Sequence, residues 1–214
     1  MIAVMLLAAQ VAAAAPAPQT AIEAERAFAA DAQKLGQWTA FRKWSAPDAL
    51  MFTPQPVKAH DFLKDRKDPP VAVFWWPGHS FVSCDGTVAI NTGPWVREWG
   101  KSVGYFTTVW KRQPAGGWKW LLDHGDALQT ARGEGGDIKP VRASCERPRP
   151  ASLPIRVYPA PERKVADGGG QSDDGTLIWL WDVQPDGSRE FRAYLWTGKV
   201  LEQVIHDRIA APPR

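Results

Sequence analysis

The residues best suited to acid–base chemistry stand at the end of a predicted strand, residues 117–124. If the strand continues, His124 and Asp126 share one face, because side chains alternate along a strand. A histidine beside a carboxylate can act as a general base with a pKa tuned by its neighbour. His124 and Asp126 are therefore the candidate catalytic pair. The alternative is a strand-end histidine bonded to the backbone and a solvated aspartate.

Four further residues are candidates for contacting a ligand. Tyr105 can donate a hydrogen bond to a ligand carbonyl, as in sites that stabilise an enolate, or it can be an ordinary half-buried aromatic. His79 follows Pro77-Gly78, where a β-bulge would aim its side chain at a site or leave it at the rim. Trp118 and Trp120 can line a cavity for an apolar or ring-containing molecule, or simply fill the core.

Other kinds of site find little support in the sequence. It has no phosphate-binding loop, dinucleotide fingerprint, zinc-protease motif or nucleophile elbow, and neither cysteine has a CxxC or CxxH neighbourhood. We therefore expect no metal and no cofactor. The formal net charge is +3, with acids and bases interspersed, so charge gives no reason to expect nucleic acid as a partner.

The beginning of the chain is typical of a secretory signal peptide. It is apolar, its first charged residue is Glu23, and Ala12-Ala13-Ala14 offers small residues for cleavage. The apolar run is too short for a membrane span of about 20 residues. We expect removal of residues 1–14, a periplasmic or secreted protein, and no membrane span after signal removal. A buried N-terminal helix is the alternative.

Export bears on the two cysteines of the chain. In an oxidising compartment Cys84 and Cys145 can close one disulfide. The alternative is a pair of unrelated small residues.

Helical spacing comes first in the chain and strand-like alternation follows. Two amphipathic segments, residues 20–35 and 37–44, predict a longer and a shorter helix. Asp85-Gly86 between two apolar runs is typical of a hairpin. The strand-like runs are residues 71–83, 87–95, 103–112 and 117–124. This order predicts an α+β fold with helices on one face of an antiparallel sheet.

The chain after residue 128 divides into two predicted segments. Residues 129–175 are rich in proline and glycine and poor in apolar residues, which predicts a linker. Residues 176–209 predict a small three-stranded antiparallel meander. Three strands alone are marginally stable, so we expect this meander to pack on the main domain or on a partner.

Residues 20–128 carry a pattern that resembles a known family. A helix and a short helix lead into a strand, a hairpin and two tryptophan-rich strands, with these key segments: Ala46-Pro47-Asp48-Ala49-Leu50-Met51-Phe52, Gly93-Pro94-Trp95, Gly104-Tyr105-Phe106-Thr107-Thr108-Val109-Trp110 and Gly117-Trp118-Lys119-Trp120-Leu121-Leu122-Asp123-His124. The pattern resembles the nuclear transport factor 2-like superfamily, and more narrowly its SnoaL-like and ketosteroid isomerase-like branch, which includes domains of unknown function.

The resemblance implies a cone-shaped domain with a pocket at its wide end, and a homodimer. In this branch the last strand often carries two histidines at alternate positions. Here Leu122 replaces the first, and Trp118, Trp120, Leu122 and His124 are expected to share one face.

Two functions of different kinds follow. The first is an exported domain that binds a small apolar or ring-containing molecule in its cone. If it is an enzyme, which stays open, proton abstraction next to a carbonyl is the implied reaction class. The second is a non-catalytic interaction or homodimerisation module of the cell envelope.

Overall fold

Helices lead the chain and strands follow, as the order of sequence patterns predicts. The structure is a computed structural model that describes residues 18–132, 137–146 and 166–213, so the predicted signal peptide lies outside the described residues. The helices are α1 (Ala21–Leu35), α2 (Gln37–Trp44) and α3 (Ala59–Leu63). None of the helices in the described ranges is long and apolar enough to cross a membrane.

A large sheet, here called the first sheet, holds eight strands. They are β1 (Ser45–Phe52), β2 (Pro56–Lys58), β3 (Phe74–Trp75), β4 (His79–Val82), β5 (Val88–Arg97), β6 (Ser102–Arg112), β7 (Trp118–Leu128) and β8 (Val141–Arg142). Their order is β2-β1-β7-β6-β5-β4-β8, and β3 pairs with β5. The pairs β1–β7 and β4–β8 are parallel and the others antiparallel.

A second sheet follows near the C-terminus, and it corrects the prediction of three strands. It has four antiparallel strands in the order β12-β11-β10-β9. They are β9 (Ala166–Gln171), β10 (Leu177–Val183), β11 (Arg189–Trp196) and β12 (Leu201–Ile209). The fold is therefore α+β with two sheets. The predicted linker, residues 129–175, is wrong at its end because it contains β9.

The glycines that suggested a linker have a packing role in β9. Gly168 stands opposite Trp181, and Gly170 stands opposite Trp179. A Cβ atom on Gly170 would lie 2.3 Å from the Trp179 ring, and one on Gly168 would lie 2.5 Å from the Trp181 ring. The absence of side chains therefore lets both indoles lie against the neighbouring strand.

The first sheet has two differently covered faces. Its inner face packs against the helices, where Phe28 of α1 meets Trp75 at 4.8 Å and Trp110 at 6.0 Å between ring centroids. Its outer face packs against the second sheet in a separate core cluster, which includes Val109 and Trp181.

Helix α1 begins with a capping box, in which the Thr20 side chain and the carboxylate three residues later satisfy each other's backbone N–H groups.

A β-bulge in β7 decides which side chains reach which face. Val109 pairs with Leu122 but Trp110 pairs with Trp120, so Leu121 is an extra residue. Trp118 and Trp120 consequently join the inner core, whereas Leu122 joins the outer core. The prediction that these residues and His124 share one face is therefore wrong.

Cys84 and Cys145 are joined by a disulfide with a Cα–Cα distance of 5.3 Å. The segment before Cys145 also binds both sheets through its backbone. Ala143 N–H donates to Val82 O, and Ser144 N–H donates to Trp196 O, each at 2.9 Å. The disulfide thus fixes a segment that bridges the two sheets.

Replacing both cysteines with alanine is expected to lower the free energy of unfolding by about 3–4 kcal/mol, since the bond closes a loop with a sequence separation of 61 residues. Urea unfolding followed by tryptophan fluorescence measures the loss. A reductant should destabilise the parent protein and leave the variant unchanged. Equal stability of parent and variant would refute the prediction.

Candidate functional site

A cavity of about 410 Å³ opens beside the last part of β7. Strand β1 pairs with β7 at Trp120 and Leu122, after which residues 123–127 line the cavity. Because this part of β7 borders the cavity along its edge, side chains from both of its faces contribute to the wall. A volume of this size suits a small organic molecule. We call it the β7 cavity.

Aromatic rings form most of the apolar wall. They come from α2, from the end of β1 and from strands β3, β5 and β6: Trp38, Phe41, Phe52, Trp75, Trp95 and Phe106. Trp38 and Phe41 pack edge to face at 5.5 Å between centroids, and Phe41 also meets Trp75 at 6.0 Å. Rings packed in this way present a preformed surface to a flat, apolar ligand.

Asp123 brings a carboxyl group to this wall from the inner face. Its Oδ2 accepts a hydrogen bond of 2.7 Å from the Thr108 hydroxyl on the neighbouring strand. Burial raises the pKa of Asp123 to about 7. This carboxyl can therefore both accept and release a proton near neutral pH. Sequence reasoning missed it, because simple alternation places Asp123 on the face opposite to the two tryptophans.

His124 lies on the outer face, with its side chain buried between the two sheets. Its ring stands 4.8 Å from that of Phe191, and its Nε2 lies 3.5 Å from Oδ2 of Asp207. Burial, assisted by Arg189 and Arg132, lowers the pKa of His124 to about 3. The imidazole is therefore neutral at neutral pH, and it is a weak base.

Tyr105 and Asp126 stand opposite each other in the pairing of β6 with β7, and both line the β7 cavity. Burial, followed by the charges of Asp207 and Asp126, raises the pKa of Tyr105, so its hydroxyl stays protonated. Arg189 of β11 reaches the same wall and donates a 2.9 Å hydrogen bond to the Gly125 carbonyl. The structure thus brings together three predicted site residues, Tyr105, His124 and Asp126.

Three polar atoms in this wall are buried without a hydrogen-bond partner among the described residues. They are Tyr105 Oη, His124 Nε2 and Arg189 Nε. Folded proteins leave few buried polar groups unpaired, and such groups often mark functional sites. Two of these atoms, the Tyr105 hydroxyl and Arg189 Nε, are donors that no acceptor among the described residues pairs.

His79 lies elsewhere. It is exposed on β4 and lines a separate cavity of about 250 Å³ together with Arg132, His206 and Asp207. The structure therefore does not bring it to the β7 cavity.

Trp118 and Trp120 also stand apart from the predicted ligand site. They are 5% and 0% exposed in the inner core, and neither belongs to the wall of the two cavities described. The helices cover them, as the 6.0 Å contact between the rings of Phe41 and Trp120 shows. Both residues therefore fill the core, which was the alternative interpretation of their sequence pattern.

In the described ranges, no group of three or more histidine, cysteine, aspartate or glutamate side chains is placed to hold a metal ion.

Comparisons with known proteins give a distant likeness to solved structures. No protein-family model matches the chain, and no curated protein matches it significantly. Among solved structures the chain is similar to a nuclear transport factor 2 (NTF2-like) superfamily protein from Salmonella enterica subsp. enterica serovar Typhimurium str. LT2. The identity is 17%, the match covers 54% of this chain and 94% of that chain, and the TM-score is 0.36. At this level of similarity, function rests on the geometry of the site itself.

Proposed function

We propose that the β7 cavity binds a small ring-containing molecule with a carbonyl group, and that Asp123 exchanges a proton with the carbon next to that carbonyl. The observation that carries the proposal is the position of Asp123. Its carboxyl, with a pKa raised to about 7, stands in a wall whose apolar part is built mainly of aromatic rings. The rings hold the apolar body of the ligand, and the carboxyl supplies the chemistry.

The roles of the remaining polar groups follow from their protonation. A general base works best when its pKa is near the operating pH, which favours Asp123 over the weakly basic His124. Tyr105 and Arg189 keep their protons, so they are the donors for the carbonyl oxygen, on which negative charge develops when the neighbouring carbon loses a proton.

The proposal also places the protein outside the cytoplasm, in the periplasm or the medium. A disulfide persists in an oxidising compartment, and the structure joins Cys84 to Cys145. The apolar N-terminus with its small residues before position 15 supports export by means of a signal peptide.

The neutral ring ketone 2-acetylnaphthalene tests binding and chemistry together. We expect it to quench tryptophan fluorescence on binding, and its methyl hydrogens to exchange with deuterium from the solvent when the protein is present. The exchange rate should rise with pH through about 7, since the ionised form of Asp123 is the base. Replacing Asp123 with asparagine is expected to slow the exchange by about 100-fold or more.

Asp126→Asn is the matched control, because it neutralises another aspartate of the same strand and the same wall. It should retain most of the exchange and its pH profile. If the ketone does not bind, or if Asp123→Asn exchanges as fast as the parent, the proposal fails. Loss of exchange in Asp126→Asn alone would identify Asp126, in place of Asp123, as the base.

A further inference from the structure

One turn occurs twice in this chain. Residues 83–88 read Ser-Cys-Asp-Gly-Thr-Val, and residues 172–177 read Ser-Asp-Asp-Gly-Thr-Leu. The first turn joins β4 to β5 and the second joins β9 to β10. Corresponding residues of the two turns are 89 positions apart, as Asp85 and Asp174 show.

The internal hydrogen bonds of the two turns correspond. In the first turn Asp85 Oδ1 accepts from the Ser83 hydroxyl at 2.6 Å and from the Thr87 N–H at 2.9 Å. In the second, Asp174 Oδ1 accepts from the hydroxyl of the corresponding serine at 2.6 Å and from the N–H of the corresponding threonine at 3.0 Å. The glycines adopt matching φ values of 70° and 67°.

The two turns also bind each other, through hydrogen bonds that are reciprocal. Asp85 N–H donates to Asp174 Oδ2 at 2.9 Å, and Asp174 N–H donates to Asp85 Oδ2 at 3.0 Å. Cys84 N–H donates to the Thr176 hydroxyl at 2.9 Å, and the equivalent Asp173 N–H points to the Thr87 hydroxyl at 3.4 Å. This reciprocity is the property of an isologous contact about a two-fold axis.

The strands that follow the turns repeat the same construction. In the first sheet Val82 pairs with Ala89, and in the second the residues 89 positions later, Gln171 and Ile178, pair in the same way. The pairs β6–β7 and β11–β12 each contain a one-residue register shift. It falls between Val109 and Trp110 in β6 and between Ala193 and Tyr194 in β11, so equivalent residues of these two strands are 84 positions apart.

The contacts between the facing surfaces of the two sheets are reciprocal as well, because equivalent residues contact each other's partners. Thr107 stands opposite His124 in the first sheet, and Phe191 stands opposite Asp207 in the second. Across the interface the Thr107 hydroxyl donates to Asp207 at 2.7 Å, while the Phe191 ring packs on the His124 ring at 4.8 Å. His124 and Asp207, which are each other's equivalents, meet at 3.5 Å.

We infer that β9–β12 is an internal repeat of β4–β7, and that it occupies the place on the outer face that a second copy of the chain would otherwise take. The chain is thus a two-fold pair of sheets within one molecule. It is a monomer in solution, in place of the homodimer that the family resemblance implies.

The two halves of the repeat differ in the described residues. The described ranges that follow β7 contain no helix, whereas α1 and α2 precede the first half. The second sheet contributes to the cavity of the first sheet, through Arg189 of β11. Tyr105 of the first sheet precedes Thr107 by two residues, as Arg189 precedes Phe191, so these wall residues are also equivalents.

Two measurements test the inference. Sedimentation velocity of the full chain across micromolar concentrations should give the mass of one chain, and a dimer would overturn the proposal. A double-mutant cycle then tests the reciprocal turns. Asp85→Ala and Asp174→Ala should each lower the midpoint of thermal unfolding by about 3–8 °C, and the double variant should lose clearly less than the sum.

Asp68→Ala is the control for the cycle. The Asp68 carboxylate accepts a backbone N–H and a hydroxyl from Thr39 in the helical layer, at 2.9 and 2.6 Å. Its effect should add to that of Asp85→Ala, because distant sites act independently. Additive losses for Asp85 and Asp174 would refute the pairing of the turns. If an alanine variant does not fold, Asp85→Asn and Asp174→Asn complete the same cycle.

Discussion

Replacing Glu25 with alanine is expected to lower the free energy of unfolding by about 4–6 kcal/mol. Glu25 is fully buried on α1, where it accepts hydrogen bonds from Trp75 Nε1 at 2.9 Å, Trp110 Nε1 at 2.7 Å and Asn91 Nδ2 at 3.2 Å. The variant leaves three buried donors without this acceptor and opens a cavity between helix and sheet. Each of these losses is costly in a core that excludes water.

Urea unfolding followed by circular dichroism measures the effect, and Glu23→Ala is the matched control. Glu23 also belongs to α1 but is exposed, and its carboxylate accepts only the backbone N–H groups of Gln19 and Thr20 at the start of the helix. Its loss should cost about 1 kcal/mol. If the two variants lose similar stability, Glu25 is not the link between helix and sheet that the hydrogen bonds indicate.

Replacing Asp182 with alanine is expected to cost about 3–5 kcal/mol, because it removes the hydrogen-bonded partner of a buried guanidinium and leaves only the more distant Glu190 carboxylate, 3.8 Å from Arg192 Nε. Asp182 and Arg192 are 4% and 6% exposed, and Arg192 Nη2 donates to Asp182 Oδ2. Asp182 Oδ1 also accepts a 2.8 Å bond from Gln184. The pair lies in the second sheet, so its disruption should loosen the cover of the outer face.

Removing both charges separates the cost of an unpaired ion from the value of the pair. The double variant Asp182→Leu, Arg192→Met should lie within about 1–2 kcal/mol of the parent, since apolar residues of similar size can replace a buried ion pair. Urea unfolding of the parent, the single variant and the double variant gives the comparison. A double variant no more stable than Asp182→Ala would contradict this explanation.

Local sequence predicts the class of the fold because its signals act within a few residues. The hairpin at Asp85-Gly86 and the helices before the strands are found in the structure, since turn chemistry and apolar spacing are local properties. The prediction of a linker was wrong at β9 because it relied on the glycine content of that segment. Glycine is required there because two indole rings of the next strand lie against it, and local composition does not reveal that contact.

The candidate site was predictable only in part. Alternation placed His124 and Asp126 together, and the structure brings both to one cavity. It could not identify Asp123, because the bulge at Leu121 depends on strand pairing and leaves no mark in the sequence. The repeated turn is visible in the sequence as Ser-x-Asp-Gly-Thr, but five residues are too few to reveal a repeat without the hydrogen bonds that pair the two turns.

The extra residue at Leu121 has a consequence for how this cavity can change over evolution. Most substitutions near it would leave the bulge, and with it the orientation of every later side chain of β7. Loss of the bulge with the strand length kept would instead pair Leu121 with Val109, and it would turn Asp123 toward the second sheet and His124 toward the helices, because the period of a strand is two. The protonation chemistry offered to a ligand would thereby pass from a carboxyl to an imidazole. Deletion of Leu121 would have no such effect, because Leu122 would still stand opposite Val109. A change that closes the bulge without shortening the strand can therefore convert one chemistry into another on this scaffold.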